Sequence, residues 1–250
     1  MLSKAQIKYI QSLQHKKYRQ KSGQFIAEGE KVVQELLQTG LSVKAVYATE
    51  SWLREQSALL AGKPAVQVEA IDEATLKQLS ALSTPNRALA LLDIPAEGET
   101  KDIAHSVTLA LDTIQDPGNM GTLIRIADWF GIPQIVCSPD CVDVYNPKTI
   151  QATMGSIARV RIITLPLLPW LQTCGVPAYA ATLHGQDITS FATLKEGIIL
   201  IGNESRGLSE DVIAASQYRV TIPRIGGAES LNAAVAAGII CSHLTLPVAK

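Results

Sequence analysis

The second half of the chain alternates short apolar segments with helical patterns, and this alternation constrains the fold more than any other feature. Segments that are apolar on both faces occur at residues 107–111, 134–137, 160–164, 178–183, 197–201 and 218–222. Helical patterns separate them at residues 122–130, 147–158 and 209–217, and an alanine-rich helix opens at residue 233. Strands of this kind, with helices between them, are typical of a parallel sheet covered on both sides. The sequence therefore predicts an α/β fold.

A polar, turn-rich stretch divides the chain near residue 100. It reads Pro-Ala-Glu-Gly-Glu-Thr-Lys-Asp over residues 95–102, which is typical of a linker. We expect a first domain at residues 1–95, a linker at 96–102 and a second domain at 103–250. In the first domain the pattern predicts a small α/β fold, with helices near residues 4–14, 29–39, 50–60 and 72–82 and strands near 43–48, 65–69 and 87–93.

The composition is that of an ordinary globular protein. Hydrophobic residues make up 47% of the 250 residues and charged residues 18%, and the net charge is −1. The first residues lack the apolar core of a secretory signal, and the apolar stretch 231–249 is interrupted by Asn232, Ser242 and His243. The four cysteines show no metal-binding spacing with nearby histidines. We expect a cytoplasmic protein with no membrane span and no metal site.

Positive charge is concentrated in the first residues of the chain. Residues 1–27 carry six Lys or Arg side chains and no acid, with two tyrosines and a histidine among them. Cations neutralise phosphates and tyrosines stack on bases, so this segment is a candidate RNA-binding surface that includes Lys16, Lys17 and Arg19. The alternative interpretation is a solvated helix face followed by a polar loop.

Three loops at the carboxyl ends of predicted strands have unusual chemistry, and ligands bind at this edge of a parallel sheet. The first loop reads Asp-Pro-Gly-Asn-Met-Gly at residues 116–121, where Asn119 is placed to cap the helix that carries Arg125. An ion pair between Arg125 and Asp128 is the alternative to a functional arginine. The glycine spacing matches neither the dinucleotide-binding fingerprint nor the KH-domain clamp, which joins two helices.

The second and third loops place polar side chains between or beside glycines. The second loop, Gly-Asn-Glu-Ser-Arg-Gly-Leu-Ser at residues 202–209, puts Glu204 outside any predicted helix or strand. The alternative interpretation of this loop is a solvent-exposed turn. The third loop, Gly-Gly-Ala-Glu-Ser-Leu-Asn at residues 226–232, opens the alanine-rich helix, where Ser230 or Asn232 would cap free N–H groups. A capped core helix would explain the third loop by itself, but the combination of all three favours a ligand site.

Together the loops closely resemble the motifs of the SpoU (TrmH-type) branch of the SPOUT superfamily, the AdoMet-dependent RNA ribose 2′-O-methyltransferases. The match spans roughly residues 105–246, with the motifs Asp116-Pro117-x-Asn119-x-Gly121-x-x-x-Arg125-x-Ala127, Gly202-x-Glu204-x-x-Gly207-Leu208-Ser209, and Ile222-Pro223 followed by Ser230-Leu231-Asn232. The segment 25–29 is similar, more weakly, to the L30e-like substrate-binding domain often fused to this family. Arg224 is a departure, because many members carry an apolar residue there.

The resemblance implies a carboxyl-terminal parallel-sheet SPOUT domain with a trefoil knot, preceded by a small L30e-like α/β domain. It also implies a homodimer with the site near its interface, AdoMet as the methyl donor, and tRNA or rRNA as the substrate. By the same resemblance, backbone groups around Gly202, Ile222 and Leu231 hold AdoMet, and Thr182, at the end of its strand, is a neighbour of the cofactor.

Arg125 stands at the position of the family's catalytic arginine. Because a guanidinium does not readily lose a proton, we expect Arg125 to bind phosphate and to stabilise the forming alkoxide. The side chains expected to orient Arg125 and the ribose are Asn119, Glu204, Ser230 and Asn232.

Two other functions remain as alternatives. A different SPOUT enzyme would methylate an RNA base, and an inactive relative would only bind RNA. The inactive relative is disfavoured because the chain retains every site residue, namely Asn119, Arg125, Glu204, Ser230 and Asn232. A dehydrogenase-like nucleotide binder ranks last because its glycine fingerprint is missing.

Overall fold

The computed structural model describes residues 2–82, 86–96 and 103–246, so most of the predicted linker at 96–102 lies outside the described residues. The chain forms two compact units. The first contains residues Met1–Ala96 together with Asp143–Ala158, and the second contains Glu97–Val142 and Arg159–Lys250. The first unit is therefore assembled from two separate stretches of sequence, while the boundaries at 1–95 and 103–250 stay a prediction.

Helices and strands alternate through both stretches of sequence. Up to residue 96 the elements are α1 (Lys4–Ser12), α2 (Lys16–Ser22), β1 (Gln24–Glu28), α3 (Glu30–Leu37), β2 (Val43–Ala48), α4 (Glu50–Glu55), α5 (Ser57–Ala61), β3 (Gln67–Ala70), α6 (Glu73–Leu79) and β4 (Ala88–Asp93). From residue 103 they are β5 (Val107–Leu111), α7 (Pro117–Trp129), β6 (Gln134–Cys137), α8 (Pro147–Thr153), β7 (Arg161–Thr164), α9 (Leu167–Thr173), β8 (Ala178–Asp187), β9 (Gly197–Ile201), α10 (Glu210–Ala214), β10 (Tyr218–Thr221) and α11 (Ala233–Thr245), with short 3₁₀ turns at Ser156–Ala158 and Ile188–Ser190.

The first unit is built on a four-stranded mixed sheet in the order β1-β4-β2-β3. Strand β4 is antiparallel to both β1 and β2, whereas β2 and β3 are parallel. Helices α1 and α6 cover one face, where Ile10, Leu13, Leu76 and Leu79 are buried with Leu89 of β4. Helix α8 belongs to this unit and contacts β1.

The pattern of the first domain does not predict two of its elements, α2 and β1. Helix α2 has no apolar stripe, and its only buried residue is Arg19. Strand β1 buries Phe25 and Ile26, but its apolar run is too short to stand out in the sequence. The predicted helix at 50–60 is two helices, α4 and α5, that meet at Gln56.

The second unit is built on a six-stranded sheet in the order β10-β8-β9-β5-β6-β7. All neighbouring strands are parallel, which confirms the predicted fold class. The bounds of β5, β6 and β9 agree with the predicted ones because these strands are buried at every position. Helix α9 was not expected, since prolines at 166 and 169 obscure its helical pattern.

The strand order places two of the unusual loops side by side. Strands β5 and β9 are neighbours, and Leu111 pairs with Ile201 at their carboxyl ends. The loop after β5 and the loop after β9 therefore leave the sheet at adjacent points. Strand β10, which precedes the third loop, lies two places from β9, beyond β8.

Strand β8 leaves its ladder with β10 for five residues, 181–185, because Ala180 pairs with Arg219 and Gln186 with Val220. Gly185 closes this excursion against β10. A Cβ atom at residue 185 would lie 2.6 Å from the backbone oxygen of Arg219, so the strand can return to the ladder only with glycine there.

The alanine-rich helix α11 packs against α7. Ala237 is fully buried, and a Cβ atom added at Gly238 would lie 3.8 Å from Cδ1 of Ile126. A methyl group at residue 238 would thus make an ordinary van der Waals contact with α7. The trefoil knot stays a prediction. In the part of the chain that the structure describes, no helix has the length and apolar character needed to cross a membrane.

Candidate functional site

The loop after β9 is a tight turn that holds its own shape. Asn203 and Gly207 exchange two backbone hydrogen bonds of 2.9 Å. Gly207 has a φ of +73°, a conformation that favours glycine. A Cβ atom at Gly202 would lie 2.2 Å from the backbone of Gly207 and Leu208, so the turn can close only if residue 202 is glycine.

Glu204 lies in this turn and accepts hydrogen bonds from the loop after β5. Its Oε1 accepts from Nδ2 of Asn119 at 3.0 Å and from the N–H of Asp116 at 3.3 Å, and its Oε2 accepts from the N–H of Gln115 at 3.5 Å. Burial raises the pKa of the Glu204 carboxyl, but the hydrogen bonds outweigh burial and bring the pKa below its usual value. Glu204 is therefore an anion that joins two loops.

Asn119 connects this pair of loops to the third. Its Oδ1 accepts a hydrogen bond of 2.9 Å from Nδ2 of Asn232. Asn232 is the N-cap of α11, and its Oδ1 accepts from the N–H groups of Ala234 and Val235 at 2.9 and 3.2 Å. The structure thus brings three predicted residues into one continuous chain, Glu204–Asn119–Asn232, that crosses all three loops.

The cap of α7 differs from the one expected. Helix α7 begins at Pro117, five residues before the predicted start at 122, so Asn119 lies in its first turn. Asp116 is the N-cap, and its Oδ1 accepts from the N–H of Asn119 at 2.7 Å. The expectation that Asn119 caps the helix was wrong. Because Asp116 performs that task, the carboxamide of Asn119 is free to bridge Glu204 and Asn232.

Arg125 is exposed on α7 and makes no hydrogen bond or ion pair with the described residues. The alternative pair with Asp128 does not form. Asp128 instead accepts a hydrogen bond of 2.8 Å from Nε of Arg159. The guanidinium of Arg125 is therefore available to a ligand.

The third loop is open. From Arg224 to Leu231 the residues are exposed, and none of their backbone N–H groups donates a hydrogen bond within the described chain. Ser230 takes no part in capping α11, which Asn232 caps alone. Nη1 of Arg224 donates to the carbonyl oxygen of Ala228 at 3.1 Å and so closes the loop on itself.

The remaining residues expected near the cofactor lie on β8 and after β10. Thr182 is not at a strand end, because β8 continues to Asp187, and its Oγ1 donates to the carbonyl oxygen of His184 at 3.1 Å. Ile222 directly follows β10 and is half-buried. The side chain of Leu231, just before the cap of α11, is 48% exposed.

The sequence pattern that defines the SpoU rRNA methylase family matches residues 106–242. The chain belongs to this family. A second pattern, that of an MRM3-like substrate-binding domain, matches residues 4–90. These two matches confirm the resemblance that was seen in the three loops and in the amino-terminal region.

Three proteins illustrate what this SpoU protein is similar to. The 23S rRNA (guanosine(2553)-2′-O)-methyltransferase RlmP of Bacillus subtilis is 30% identical over 242 residues, which cover 95% of each chain. The solved structure of a TrmH-family protein from Porphyromonas gingivalis is 38% identical, with a TM-score of 0.87 over 98% of each chain. An AdoMet-bound rRNA methyltransferase from Sinorhizobium meliloti is 27% identical, with a TM-score of 0.85 over 98% of this chain and 96% of its own.

In the MRM3-like domain of this SpoU protein, the basic segment contains both exposed and buried cations. Lys16 and Lys17 are exposed on α2. Arg19 is 2% exposed. Its Nε donates to Oδ2 of Asp143 at 3.0 Å, and its Nη2 forms an ion pair with the same oxygen. Its Nη1 donates to the carbonyl oxygen of Leu13 at 2.7 Å. Arg19 thus lacks the exposure that a phosphate contact requires, whereas the two lysines have it.

Two residues beneath the SpoU loops were not singled out in the sequence. Asp112 is 7% exposed, and its Oδ2 accepts from the N–H and the hydroxyl of Ser209 at 2.9 and 2.8 Å. Nδ2 of Asn203 donates to the carbonyl oxygen of Thr113 at 2.8 Å. Their position in the sequence could have identified them, because Asp112 and Asn203 both follow the ends of central strands.

Proposed function

We propose that this SpoU protein transfers a methyl group from AdoMet to the 2′-hydroxyl of an RNA ribose. The observation that carries the proposal is the chain Glu204–Asn119–Asn232, which satisfies its own polar groups and leaves Arg125 unpaired. A polar network fixed by its own hydrogen bonds and an unpaired cation on the same helix as Asn119 suit a reaction in which negative charge develops on a bound oxygen. The B. subtilis 2′-O-methyltransferase and the AdoMet-bound S. meliloti enzyme support this reaction.

The open third loop fits AdoMet. The exposed backbone N–H groups from Arg224 to Leu231 donate to no group of the described chain, and the adenine nitrogens and carboxylate of AdoMet are acceptors that would replace water there. We propose that main-chain groups around Gly202, Ile222 and Leu231 hold the cofactor, with Thr182 nearby. When bound, AdoMet supplies an electrophilic methyl group.

The side chains of this chain orient the ribose and stabilise its oxygen. We propose that Arg125 binds the phosphate beside the target ribose and stabilises the alkoxide that forms as the hydroxyl passes its proton to water. As the methyl carbon bonds to this oxygen its bond to sulfur breaks, so S-adenosylhomocysteine is released. Asn119, Glu204 and Asn232 fix the geometry beneath the ribose, and the exposed hydroxyl of Ser230 contributes a contact from the third loop. Holding the reacting atoms in line removes much of the entropic cost of the transfer.

We propose rRNA as the substrate, because the B. subtilis relative acts on 23S rRNA; tRNA is the alternative. The MRM3-like domain would hold it through Lys16 and Lys17, whose charges are exposed. In this proposal Arg19 supports the position of α2 through its ion pair with Asp143.

We further propose that the protein is a homodimer. Large apolar side chains are exposed on two helices of the second unit, with Trp129 at the end of α7 85% exposed and Val235 and Ile239 of α11 52% and 40% exposed. Val235 and Ile239 are one helical turn apart, and exposed apolar groups of this kind are typical of contact surfaces. A second copy of the chain would remove them from water.

A cytoplasmic location is also proposed. All four cysteines are free thiols, which suits a reducing compartment.

The test is methylation of defined RNA. Purified protein would be incubated with methyl-labelled AdoMet and either rRNA or tRNA from cells that lack its gene, and the product digested to nucleosides for mass spectrometry. We expect the label in a 2′-O-methylated nucleoside from rRNA. Label in a methylated base would support the base-modifying alternative. Absence of label from both RNAs, with RNA still bound, would identify an inactive relative.

A further inference from the structure

We propose that Asp112 is a positioning residue that fixes the Gly202–Ser209 loop for AdoMet binding, an inference that rests on the proposed function. Asp112 directly follows the central strand β5 and lies beneath the site. It acts through Ser209 and Thr113, which both connect it to the Gly202–Ser209 loop.

The Gly202–Ser209 loop is tied at both ends to the two residues that follow β5. Near its start, Nδ2 of Asn203 donates to the carbonyl oxygen of Thr113 at 2.8 Å. At its end, Ser209 donates two hydrogen bonds to Oδ2 of Asp112, from its N–H at 2.9 Å and from its hydroxyl at 2.8 Å. Residues 112 and 113 therefore serve as the fixed base of the loop.

Ser209 does not make the hydrogen bond that is usual for a serine at its position. It occupies the N-cap position of α10, where a serine hydroxyl normally accepts a hydrogen bond from the first turn of the helix. No side-chain cap bond forms at Ser209, and its hydroxyl donates to Asp112. The side chain of Ser209 therefore connects the loop to Asp112 and does not cap α10.

Thr113 is a second, independent sign that this base is held under constraint. Its φ is +58°, a conformation that β-branched residues disfavour. Three contacts hold it there: its N–H donates to Oγ of Ser138 at 2.8 Å, its carbonyl accepts from Asn203, and its Oγ1 donates to Oδ1 of Asp112 at 3.1 Å. Strained residues fixed by several contacts are concentrated at functional sites.

Asp112 is buried, and both its oxygens are engaged by groups of this chain. Its influence on the cofactor would pass through the shape of the second loop, whose main chain we propose holds AdoMet around Gly202. Replacing the carboxylate with a carboxamide leaves the N–H and hydroxyl of Ser209 with at most a neutral oxygen as acceptor, which loosens the end of the loop. AdoMet affinity should fall while the turnover of the saturated enzyme is largely retained.

The test compares Asp112→Asn, Ser209→Ala and the double variant in the full-length protein. AdoMet affinity would be measured by calorimetry, and KM and kcat by methyl transfer. The free energy of a buried hydrogen bond to a charged group corresponds to about a tenfold change in affinity. We therefore expect the AdoMet Kd and KM to rise about tenfold in Asp112→Asn and by less in Ser209→Ala. The loss in the double variant should be smaller than the sum of the two single losses, because both changes weaken the contact between Ser209 and Asp112. The KM for RNA should be unchanged.

Thr108→Val is the matched control. Thr108 lies on β5, the strand that Asp112 follows, is fully buried, and accepts a hydrogen bond of 2.9 Å from Nε2 of Gln134, but its side chain makes no hydrogen bond with the three loops. It should lower the melting temperature without changing the AdoMet Kd.

Two results would overturn the inference while the proposed function stands: wild-type affinity for AdoMet in both single variants, or an equal loss of affinity in Thr108→Val. If the wild-type protein itself binds no AdoMet, the proposed function fails, and the inference with it.

Discussion

The loops after β5 and β9 differ from the loop after β10 in how they use their polar groups. In the first two, Asp112, Asn119 and Glu204 all have hydrogen-bond partners within the chain. In the third, the backbone N–H groups from Arg224 to Leu231 have none within the described residues. One part of the site is thus held in place by hydrogen bonds within the chain, and the other is not. Changes in the paired part should affect stability, whereas changes to unpaired groups should affect only binding or turnover.

Arg125→Ala is expected to have the largest effect, and on activity alone. Loss of a group that stabilises a developing oxyanion typically lowers kcat by about 10²–10³-fold. Because Arg125 has no partner among the described residues, the melting temperature and the AdoMet Kd should be those of the wild type. Single-turnover methylation and calorimetry would measure these quantities. Arg125→Lys, which keeps the charge but loses the planar fork, should recover part of the rate. Near-full turnover by Arg125→Ala would contradict the assignment.

Alanine substitutions at two glycines, one in each part of the site, would test the difference in stability directly. A Cβ atom at Gly202 would lie 2.2 Å from backbone atoms of Gly207 and Leu208, whereas one at Gly226 would meet nothing within 4 Å. Gly202→Ala should reduce the free energy of unfolding by about 3 kcal/mol because the turn must open. Gly226→Ala should change it by less than about 0.5 kcal/mol. Urea denaturation would measure both, and equal stabilities would refute the contrast.

The same contrast is expected between two cations of α2. Arg19→Ala leaves the carboxylate of Asp143 without its partner and should cost about 2 kcal/mol of stability. Lys17→Ala should leave stability unchanged, weaken RNA binding, and reduce the slope of log affinity against log salt by about 1. Filter binding at several salt concentrations, together with urea denaturation, would test both. An unchanged salt slope for Lys17→Ala would mean that this lysine is only a solvated surface group.

The smallest expected effect is the pH dependence contributed by Glu204. Its folded-state pKa lies below the ordinary value of 4.5, so its contribution to stability is present above that pH and is lost as the pH falls through the folded-state pKa. At neutral pH, Glu204→Gln should be less stable than the wild type by about 1 kcal/mol. The difference should shrink below pH 4.5, and urea denaturation at several pH values would show it. A difference that does not depend on pH would show that the charge has no part in the network.

Much of the second unit could be predicted because its strands β5, β6 and β9 are buried on both faces. Strands such as β5 and β9 are recognisable from composition alone, since every residue is apolar or small. The meeting of Asn119 and Glu204 follows from the parallel sheet, whose strand ends share one edge. The third partner, Asn232, was within reach because a cap residue before a long helix has a clear local pattern.

Other features depend on contacts that no local pattern contains. Arg19 is buried because it meets Asp143, a partner 124 residues away in sequence, so its exposure could not be judged from the basic run around it. Asp116 and Asn119 are both good N-cap residues, and only the position of Glu204 decides that Asn119 points to the network. The strain at Thr113 likewise depends on Ser138 and Asn203, which belong to other strand ends.

The composition of the first unit limits how such domains can be exchanged between relatives. Asp143, the partner of Arg19, and Tyr145, whose ring centroid lies 5.0 Å from that of Phe25, both come from the separate stretch 143–158. A chimera that replaced only residues 1–95 would give the inherited stretch a foreign neighbour and leave Asp143 facing an unmatched side chain. Residues 143–158 must therefore be transplanted together with the first domain, and substitutions in the two stretches are expected to accumulate in pairs.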